Sequence, residues 1–234
     1  MALISLLLVF SSGSLLGKPQ DSCVECHKDP SFLVTNKKLY NYYQDWEGSP
    51  HQHAEVSCTA CHMGNANTPG KAQAHKGLIS RFDFKAIPKT CGMCHQEVFA
   101  AYQQSVHFKQ MSNRQASSIG PNCITCHGIM NNVGVSVARV QETCSQCHNA
   151  SSKGLKEIPR WVEQYLNKLA SIHQFYRYVS VKGEPAETQQ FLIKTDRKLT
   201  ELNAQWHRLD QKEIQEGTDA LMESLQSRRK SLSQ

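Results

Sequence analysis

One pentapeptide pattern, Cys-x-x-Cys-His, occurs five times in this chain and contains all of its cysteines. The chain has 234 residues and ten cysteines. The five copies, numbered here in chain order, are Cys23–His27, Cys58–His62, Cys91–His95, Cys123–His127 and Cys144–His148. Each pentapeptide therefore supplies two thiols and one imidazole.

Covalent attachment of haem c requires this set of groups. Two thiols reach the two vinyl groups of one porphyrin, and the histidine that follows coordinates the iron on one face. We therefore predict five covalently bound haem c groups. The predicted attaching thiols are Cys23, Cys26, Cys58, Cys61, Cys91, Cys94, Cys123, Cys126, Cys144 and Cys147. The predicted proximal iron ligands are His27, His62, His95, His127 and His148.

Two other uses of paired cysteines remain open from the sequence. Such pairs can form a disulfide framework, or they can combine two at a time into four-ligand zinc sites. Five is an odd number of pairs, and zinc does not require a histidine after each pair. Both alternatives therefore explain the pattern less completely than haem does.

Six histidines lie outside the pentapeptides and are available for the second face of each iron. Three of them share a frame in which serine stands two residues before histidine, and these histidines are His51, His107 and His173. Each frame follows a pentapeptide and an aromatic-rich stretch that we expect to be helical. We predict these three histidines as distal ligands.

The other three histidines have different surroundings. His75 lies in a glycine-rich connection and His207 lies at the edge of an apolar helical stripe, and we predict both as distal ligands. A solvated or hydrogen-bonded imidazole is the alternative for His207. His53 is two residues from His51, on another side of a helix, and is predicted to be the spare. Because histidines suffice, four methionines are expected to pack rather than ligate iron: Met63, Met93, Met111 and Met130.

The composition predicts a mainly α protein in which haem supplies much of the core. Each porphyrin buries a flat apolar surface that side chains would otherwise provide. Residues 21–155 are expected to form a pentahaem domain of short helices and loops that needs its cofactor to fold. Residues 156–234 lack cysteine and show helical apolar spacing. We predict a long antiparallel helical hairpin there, broken at Gly183 and Pro185, that supplies distal ligands or oligomer contacts.

The first residues predict export from the cytoplasm. Residues 1–20 begin with an apolar run too short to span a bilayer, so we expect a signal peptide, with an anchoring helix as the alternative. Haem c is attached outside the cytoplasmic membrane, which predicts a periplasmic or extracellular location. The mature chain is expected to have no membrane span.

The net charge of +6 would suit a nucleic-acid partner, but its distribution does not. The basic residues are scattered along the sequence rather than clustered. Five haems would also add about ten propionate carboxylates, which are ionised at neutral pH. We therefore expect no nucleic-acid partner.

Several segments resemble the multihaem cytochromes c of the hydroxylamine oxidoreductase superfamily, which includes pentahaem nitrite reductases and a tetrahaem electron-acceptor cytochrome. They are WEGSPH (46–51), VSCTACH (56–62), AHKG (74–77), IPKTC (87–91), YQQSVH (102–107) and CITCHG (123–128). The resemblance implies closely packed haems and distal ligation by His51, His75 and His107. It also implies C-terminal helices that carry further ligands and mediate oligomerisation. The nitrite reductases carry a Cys-x-x-Cys-Lys haem, which this sequence lacks.

These features together predict an electron-transfer protein. An iron with imidazoles on both faces is closed to substrate and exchanges only electrons. We predict a pentahaem cytochrome, with no catalytic residue, that connects redox proteins such as a quinol dehydrogenase and a terminal reductase or oxidase. Two alternatives remain open: an enzyme that acts on a small nitrogen or sulfur compound at one five-coordinate haem, and a structural conduit within a larger complex or filament.

Overall fold

A computed structural model provides the structure of the protein and describes residues 21–113, 120–128, 136–152 and 154–232. The predicted signal peptide and Met130 lie outside these residues. The described part contains helices and no strand, which confirms the mainly α class. None of its helices is both long enough and apolar enough to cross a membrane.

Short helices and connecting loops make up the first two thirds of the chain. These helices are α1 (Ser22–His27), α2 (Phe32–Thr35), α3 (Lys37–Glu47), α4 (Pro50–His53), α5 (Cys58–His62), α6 (Lys71–Ala74), α7 (Ile87–Gly92), α8 (Gln96–Gln104), α9 (Val106–Ser112), α10 (Cys123–His127) and α11 (Val137–Ser145). Three longer helices follow: α12 (Ile158–Lys182), α13 (Pro185–Gln205) and α14 (Gln211–Ser231), with a 3₁₀ turn at Trp206–Arg208 before the last.

The chain divides into two compact units. The first contains Ser57–Ile79 and the segment that ends at Gln44, and the second contains Asp45–Val56 and the chain from Ser80 onward. The first two pentapeptides belong to the first unit and the other three to the second. The C-terminal helices share the second unit with α7 to α11.

The first unit has no buried core among its described residues, since every one of them is at least partly exposed. A unit of this size needs a substantial apolar surface to offset the conformational entropy that its chain loses on folding. The side chains alone do not supply that surface. This agrees with the expectation that porphyrins form the core of this part of the chain.

The three long helices have a core of their own. Its buried members come from all three helices: Ile172, Val179, Leu199, Leu202, Leu221 and Leu225. Full burial of such a side chain contributes about 1.5–3 kcal/mol. The break that the sequence predicts between the first two of these helices is confirmed, because α12 ends at Lys182 and Gly183 caps it.

α14 adds a third helix to the predicted hairpin. Its buried residues, Ile214, Thr218, Leu221 and Leu225, follow spacings of four, three and four, a helical stripe that our sequence analysis missed. α14 runs parallel to α12. Residues near the start of α12 contact residues near the start of α14, and residues later in α12 contact residues later in α14. The successive pairs are Trp161 with Ile214, Lys168 with Asp219, and Phe175 with Arg229.

α13 runs antiparallel to α14. The Arg228 guanidinium, near the end of α14, donates to the backbone oxygen of Glu187, near the start of α13, at 3.1 Å. The same guanidinium lies over the ring of Phe191, 6.0 Å from its centroid. The three helices therefore alternate in direction along the chain, as the hairpin prediction requires for the first two.

A smaller apolar cluster connects the fifth pentapeptide to the long helices. Trp161, Val162 and Ile214 are its buried members, and Val140 and Cys144 of α11 pack against them. Gln141 of α11 also donates to the carboxylate of Glu163 of α12 at 3.0 Å. These contacts fix the position of α11 on α12.

Candidate functional site

Helical turns bring the three reactive side chains of a pentapeptide to one side of the backbone. The first, fourth and fifth residues of α10, for example, are Cys123, Cys126 and His127. Residues three and four positions apart on a helix share a face, so the two cysteines and the histidine point the same way. α1 and α5 end at the histidines of the first two pentapeptides in the same manner.

Polar residues just before two pentapeptides cap these short helices. The Asp21 carboxylate accepts a hydrogen bond from the backbone N–H of Cys23 at 2.9 Å. Asn122 is buried, and its side-chain oxygen accepts from Ile124 and Thr125 while its amide donates to the Phe84 backbone oxygen at 2.8 Å. Neither cap was predicted from the sequence, although Asn-x-x-Thr is a recognisable capping pattern.

The cysteines and histidines form neither disulfides nor four-ligand clusters. No two of the ten cysteines are joined by a disulfide. Across the described ranges, no group of three or more His, Cys, Asp or Glu side chains is arranged to hold a metal ion. The side chains instead offer pairs of thiols and pairs of imidazoles.

Four pentapeptide histidines each face a histidine from outside the pentapeptides. The ring centroids are 6.4 Å apart for His27 and His75, 6.2 Å for His95 and His51, 6.0 Å for His148 and His107, and 5.9 Å for His127 and His207. Metal–imidazole bonds are about 2 Å long, so two imidazoles on opposite sides of one metal have centroids about 6 Å apart. The spacing of the four pairs fits one iron between the rings of each pair.

This pairing gives each of four predicted distal histidines a definite partner. His75 faces the first pentapeptide, His51 the third, His207 the fourth and His107 the fifth. Each pair lies within a single unit. The partners are 41–48 residues apart in three of the pairs and 80 residues apart in the fourth, so no single chain distance supplies the assignments.

Serine caps explain the orientation of two distal histidines. Ser49 and Ser105 are buried N-caps of α4 and α9, and their hydroxyls accept from the backbone N–H of the third residue of each helix. His51 and His107 therefore occupy the second position of a helix whose start is fixed. Ser171 differs, because it lies inside α12 and donates to the Asn167 backbone oxygen at 3.1 Å. The shared sequence frame thus has two different local structures.

Backbone carbonyls orient two further imidazoles. His207 Nδ1 lies 2.9 Å from the backbone oxygen of Asn203, and His62 Nδ1 lies 2.8 Å from that of Ile79. A neutral imidazole that donates from Nδ1 keeps its Nε2 lone pair for a metal. Both histidines therefore have the hydrogen bond that metal-ligating histidines commonly make.

Burial favours the neutral, metal-binding form of several of these imidazoles. It lowers the pKa of His27, His107, His127, His148 and His207, and for the first three the facing histidine lowers the pKa further. Two backbone hydrogen bonds partly offset the effect of burial on the pKa of His207. An imidazole must be deprotonated to bind iron, so these environments suit ligation.

The remaining histidines do not belong to the four pairs. His53 lies on α4 with His51 and is exposed, in line with its predicted role as the spare. His173 lies half-buried on α12, beside the fully buried Ile172. Its role as a distal ligand stays a prediction, as does that of His62 as a proximal ligand.

Methionines divide between buried and exposed positions. Met111 is buried and its sulfur accepts from the Tyr102 hydroxyl at 3.7 Å, which agrees with a packing role. Met63 and Met93 are instead exposed.

Thiols of successive pentapeptides are neighbours within the second unit. Cys91 and Cys123 hydrogen-bond to each other, which lowers the pKa of Cys91 and raises that of Cys123. Burial and, to a smaller extent, the nearby Cys144 thiol raise the pKa of Cys126 to about 11. The fourth pentapeptide thus lies between the third and the fifth.

Comparison with known proteins points to the same cofactor. Residues 79–154, which include the last three pentapeptides, match the family model described as cytochrome c7 and related cytochrome c. The chain is similar to the multiheme cytochrome MtrA of Shewanella baltica, with 24% identity over 155 residues, which is 64% of this chain and 38% of MtrA. It is also similar to the C-type polyheme cytochrome OmcB of Geobacter sulfurreducens, with 28% identity over 108 residues, 45% of this chain and 13% of OmcB.

These similarities imply covalently bound haem c in a multihaem protein. The chain spans less than half the length of either relative. No solved structure matches it significantly. The resemblance to the hydroxylamine oxidoreductase superfamily finds no match among these relatives and stays a prediction.

Proposed function

We propose that this chain is a pentahaem c-type cytochrome that transfers electrons between redox proteins. The four pairs of facing imidazoles carry the proposal. In each pair, the histidine of a pentapeptide faces a second histidine. The ring centroids are 5.9–6.4 Å apart, a separation that leaves room for one iron between the rings. A histidine on each side of an iron leaves no coordination position for a substrate.

The protein contributes attachment, orientation and electrostatic environment. Haem iron, when bound, supplies one-electron redox chemistry. The thiols hold each porphyrin by two covalent bonds, and the capped helices fix the histidines that follow them. Hydrogen bonds such as that from His207 Nδ1 to the Asn203 oxygen make the imidazole a stronger electron donor, which favours ferric iron and lowers the reduction potential.

The arrangement of thiols supports an order of cofactors in the second unit. Cys91 contacts Cys123, and Cys126 is a close neighbour of Cys144. The fourth haem would then have the third haem as one neighbour and the fifth haem as the other. The second cysteines of the third and fifth pentapeptides, Cys94 and Cys147, are exposed, whereas Cys126 is not. We propose that the fourth haem is internal and that the third and fifth exchange electrons with partners.

The proposal also includes the two histidines outside the four pairs that the sequence predicts as iron ligands. His62 would be the proximal ligand of the second haem, and His173 stays a proposed distal ligand to which no haem is assigned. We also propose a periplasmic or extracellular location, because haem c is attached there. Its partners would be redox proteins, and the C-terminal helices are available for contacts between chains.

The number of haems can be measured by a pyridine haemochrome assay on protein of known concentration, together with its intact mass. We expect five haems per chain in the wild type and four in the double variant Cys144→Ala/Cys147→Ala. Fewer than five haems in fully matured wild-type protein, or equal counts in both proteins, would contradict the proposal.

A further inference from the structure

The three tryptophans of the chain differ in the partners of their indole N–H groups. Trp46 Nε1 donates to the backbone oxygen of Val56 at 3.0 Å. The indole nitrogens of Trp161 and Trp206 are buried, and neither has a hydrogen-bond acceptor among the described residues. The protein therefore supplies a hydrogen-bond acceptor to the indole N–H of Trp46 but to neither of the other two indole N–H groups.

The two unsatisfied indoles stack against each other. Their ring centroids are 6.2 Å apart with planes 21° from parallel, and the ring of Tyr165 contacts both. Trp161 is only 9% exposed. Two donors without acceptors in one cluster require an explanation, because each such buried group costs about 1–3 kcal/mol.

The cluster adjoins two of the proposed haem sites. Trp206 directly precedes His207, which faces His127 of the fourth pentapeptide. Trp161 packs in the same apolar cluster as Cys144, the first thiol of the fifth pentapeptide. The indoles therefore lie beside the attachment points of the fourth and fifth haems.

We infer that the indole N–H groups of Trp161 and Trp206 donate hydrogen bonds to haem propionates of the fourth and fifth pentapeptides. This inference rests on the proposed function, because it needs haem at both pentapeptides. Haem c has two carboxylates at one edge, and an indole is a donor without acceptor capacity, so the two groups are complementary. A hydrogen bond to a carboxylate is also stronger than one between neutral groups, which suits a buried position.

Each of the two indoles would also affect the reduction potential of the haem whose propionate accepts its hydrogen bond. A propionate carries negative charge close to the iron and favours the ferric state. Donated hydrogen bonds withdraw part of that charge, which favours the ferrous state and raises the potential. Loss of a donor should therefore lower the potential of one haem and leave the others unchanged.

The direct test is nuclear magnetic resonance of the fully haem-loaded protein, with ¹⁵N in the tryptophan side chains. Full reduction makes bis-histidine haems diamagnetic, so three indole N–H signals can be observed. Trp161→Phe, Trp206→Phe and Trp46→Phe assign them. We expect the Trp161 and Trp206 signals to have chemical shifts of hydrogen-bonded indoles and slow exchange with deuterium.

A redox titration of the same variants separates propionate from other acceptors. Trp161→Phe and Trp206→Phe should each lower the midpoint potential of one haem, whereas the matched control Trp46→Phe should change none. Indole signals typical of unbonded N–H groups would overturn the inference. Bonded signals combined with unchanged potentials would also overturn it, because the acceptor would then be water or another neutral group.

The haem count distinguishes failure of this inference from failure of the proposed function. Five haems in the wild type with unbonded indoles would refute only the propionate contact. A wild-type protein without haem at the fourth and fifth pentapeptides would refute the function on which it rests. If one of the two variants Trp161→Phe and Trp206→Phe does not fold, the other still assigns its own indole signal and tests the potential of its own haem.

Discussion

His127 and His207 face each other with ring centroids 5.9 Å apart and ring planes only 16° from parallel. One ends the short helix α10, and the other lies in the 3₁₀ turn after α13. A capped helix holds the first ring and a backbone carbonyl orients the second. Their near-parallel planes distinguish this pair from the other three, whose planes cross at 41–64°.

This difference predicts the paramagnetic resonance of the oxidised protein. Parallel imidazole planes separate the two highest occupied iron d orbitals most strongly and give a rhombic low-spin ferric signal, whereas steeply crossed planes give a more anisotropic one. We expect the haem of the fourth pentapeptide to give a well-resolved rhombic signal. His207→Ala should remove that signal selectively, and persistence of the signal in this variant would contradict the assignment.

His107 and His53 should differ sharply in their effect on spin state. His107 faces His148 at 6.0 Å, whereas His53 is exposed and belongs to none of the four pairs. We expect His107→Ala to open one iron and produce a high-spin ferric species in optical and paramagnetic resonance spectra. His53→Ala should leave the spectra of the wild type unchanged. Identical spectra for the two variants would show that the pairing is wrong.

Loss of the Ser105 cap should destabilise the helix that carries His107. The Ser105 hydroxyl accepts from the backbone N–H of Phe108 at 3.0 Å and the residue is buried. Removal of such a cap costs about 1 kcal/mol, so Ser105→Ala should lower the denaturant midpoint measured by circular dichroism. Ser31 stands at the start of α2 without a side-chain cap bond. Ser31→Ala is therefore the matched control, and an equal loss in both variants would argue against the capping role.

The helical core should depend on Ile172. This side chain is fully buried among α12, α13 and α14. Ile172→Ala should lower the free energy of unfolding by about 2–5 kcal/mol, through lost burial and the cavity that remains. Val181, on the same helix, is 78% exposed, so Val181→Ala should change stability little. Chemical denaturation of both variants measures the difference, and similar losses would contradict the packing described here.

Haem removal should affect the two parts of the chain unequally. Residues 158–231 have an apolar core of side chains, whereas the first unit has no buried residue among those described. We expect protein made without haem attachment to be cleaved first within residues 21–44 and 57–79 in limited proteolysis followed by mass spectrometry. The long helices should resist longer. Equal cleavage along the whole chain would show that the C-terminal helices also need haem.

The sequence predicted those parts of the structure that follow from local patterns. The pentapeptides, the helical character and the break after Lys182 are encoded by residues close together in the chain. The stripe of α14 has the same kind of signal and could have been found from Ile214, Thr218, Leu221 and Leu225. Only their partners on the other helices required the structure.

The pairing of histidines could not be predicted, because it depends on contacts between distant segments. His75 faces the first pentapeptide although it follows the second, and His51 faces the third although it precedes the second. The serine frame also misled in one respect. It marks an N-cap at Ser49 and Ser105, but Ser171 lies within a long helix, where the same three residues have another geometry.

Binding of carbon monoxide to the fully reduced, native protein tests most directly whether imidazoles close the irons. The ligand enters only at an iron with an open position, and its binding can be counted optically against the total haem. Four facing pairs predict that at least four of the five haems do not react. Rapid binding at two or more haems would contradict the account.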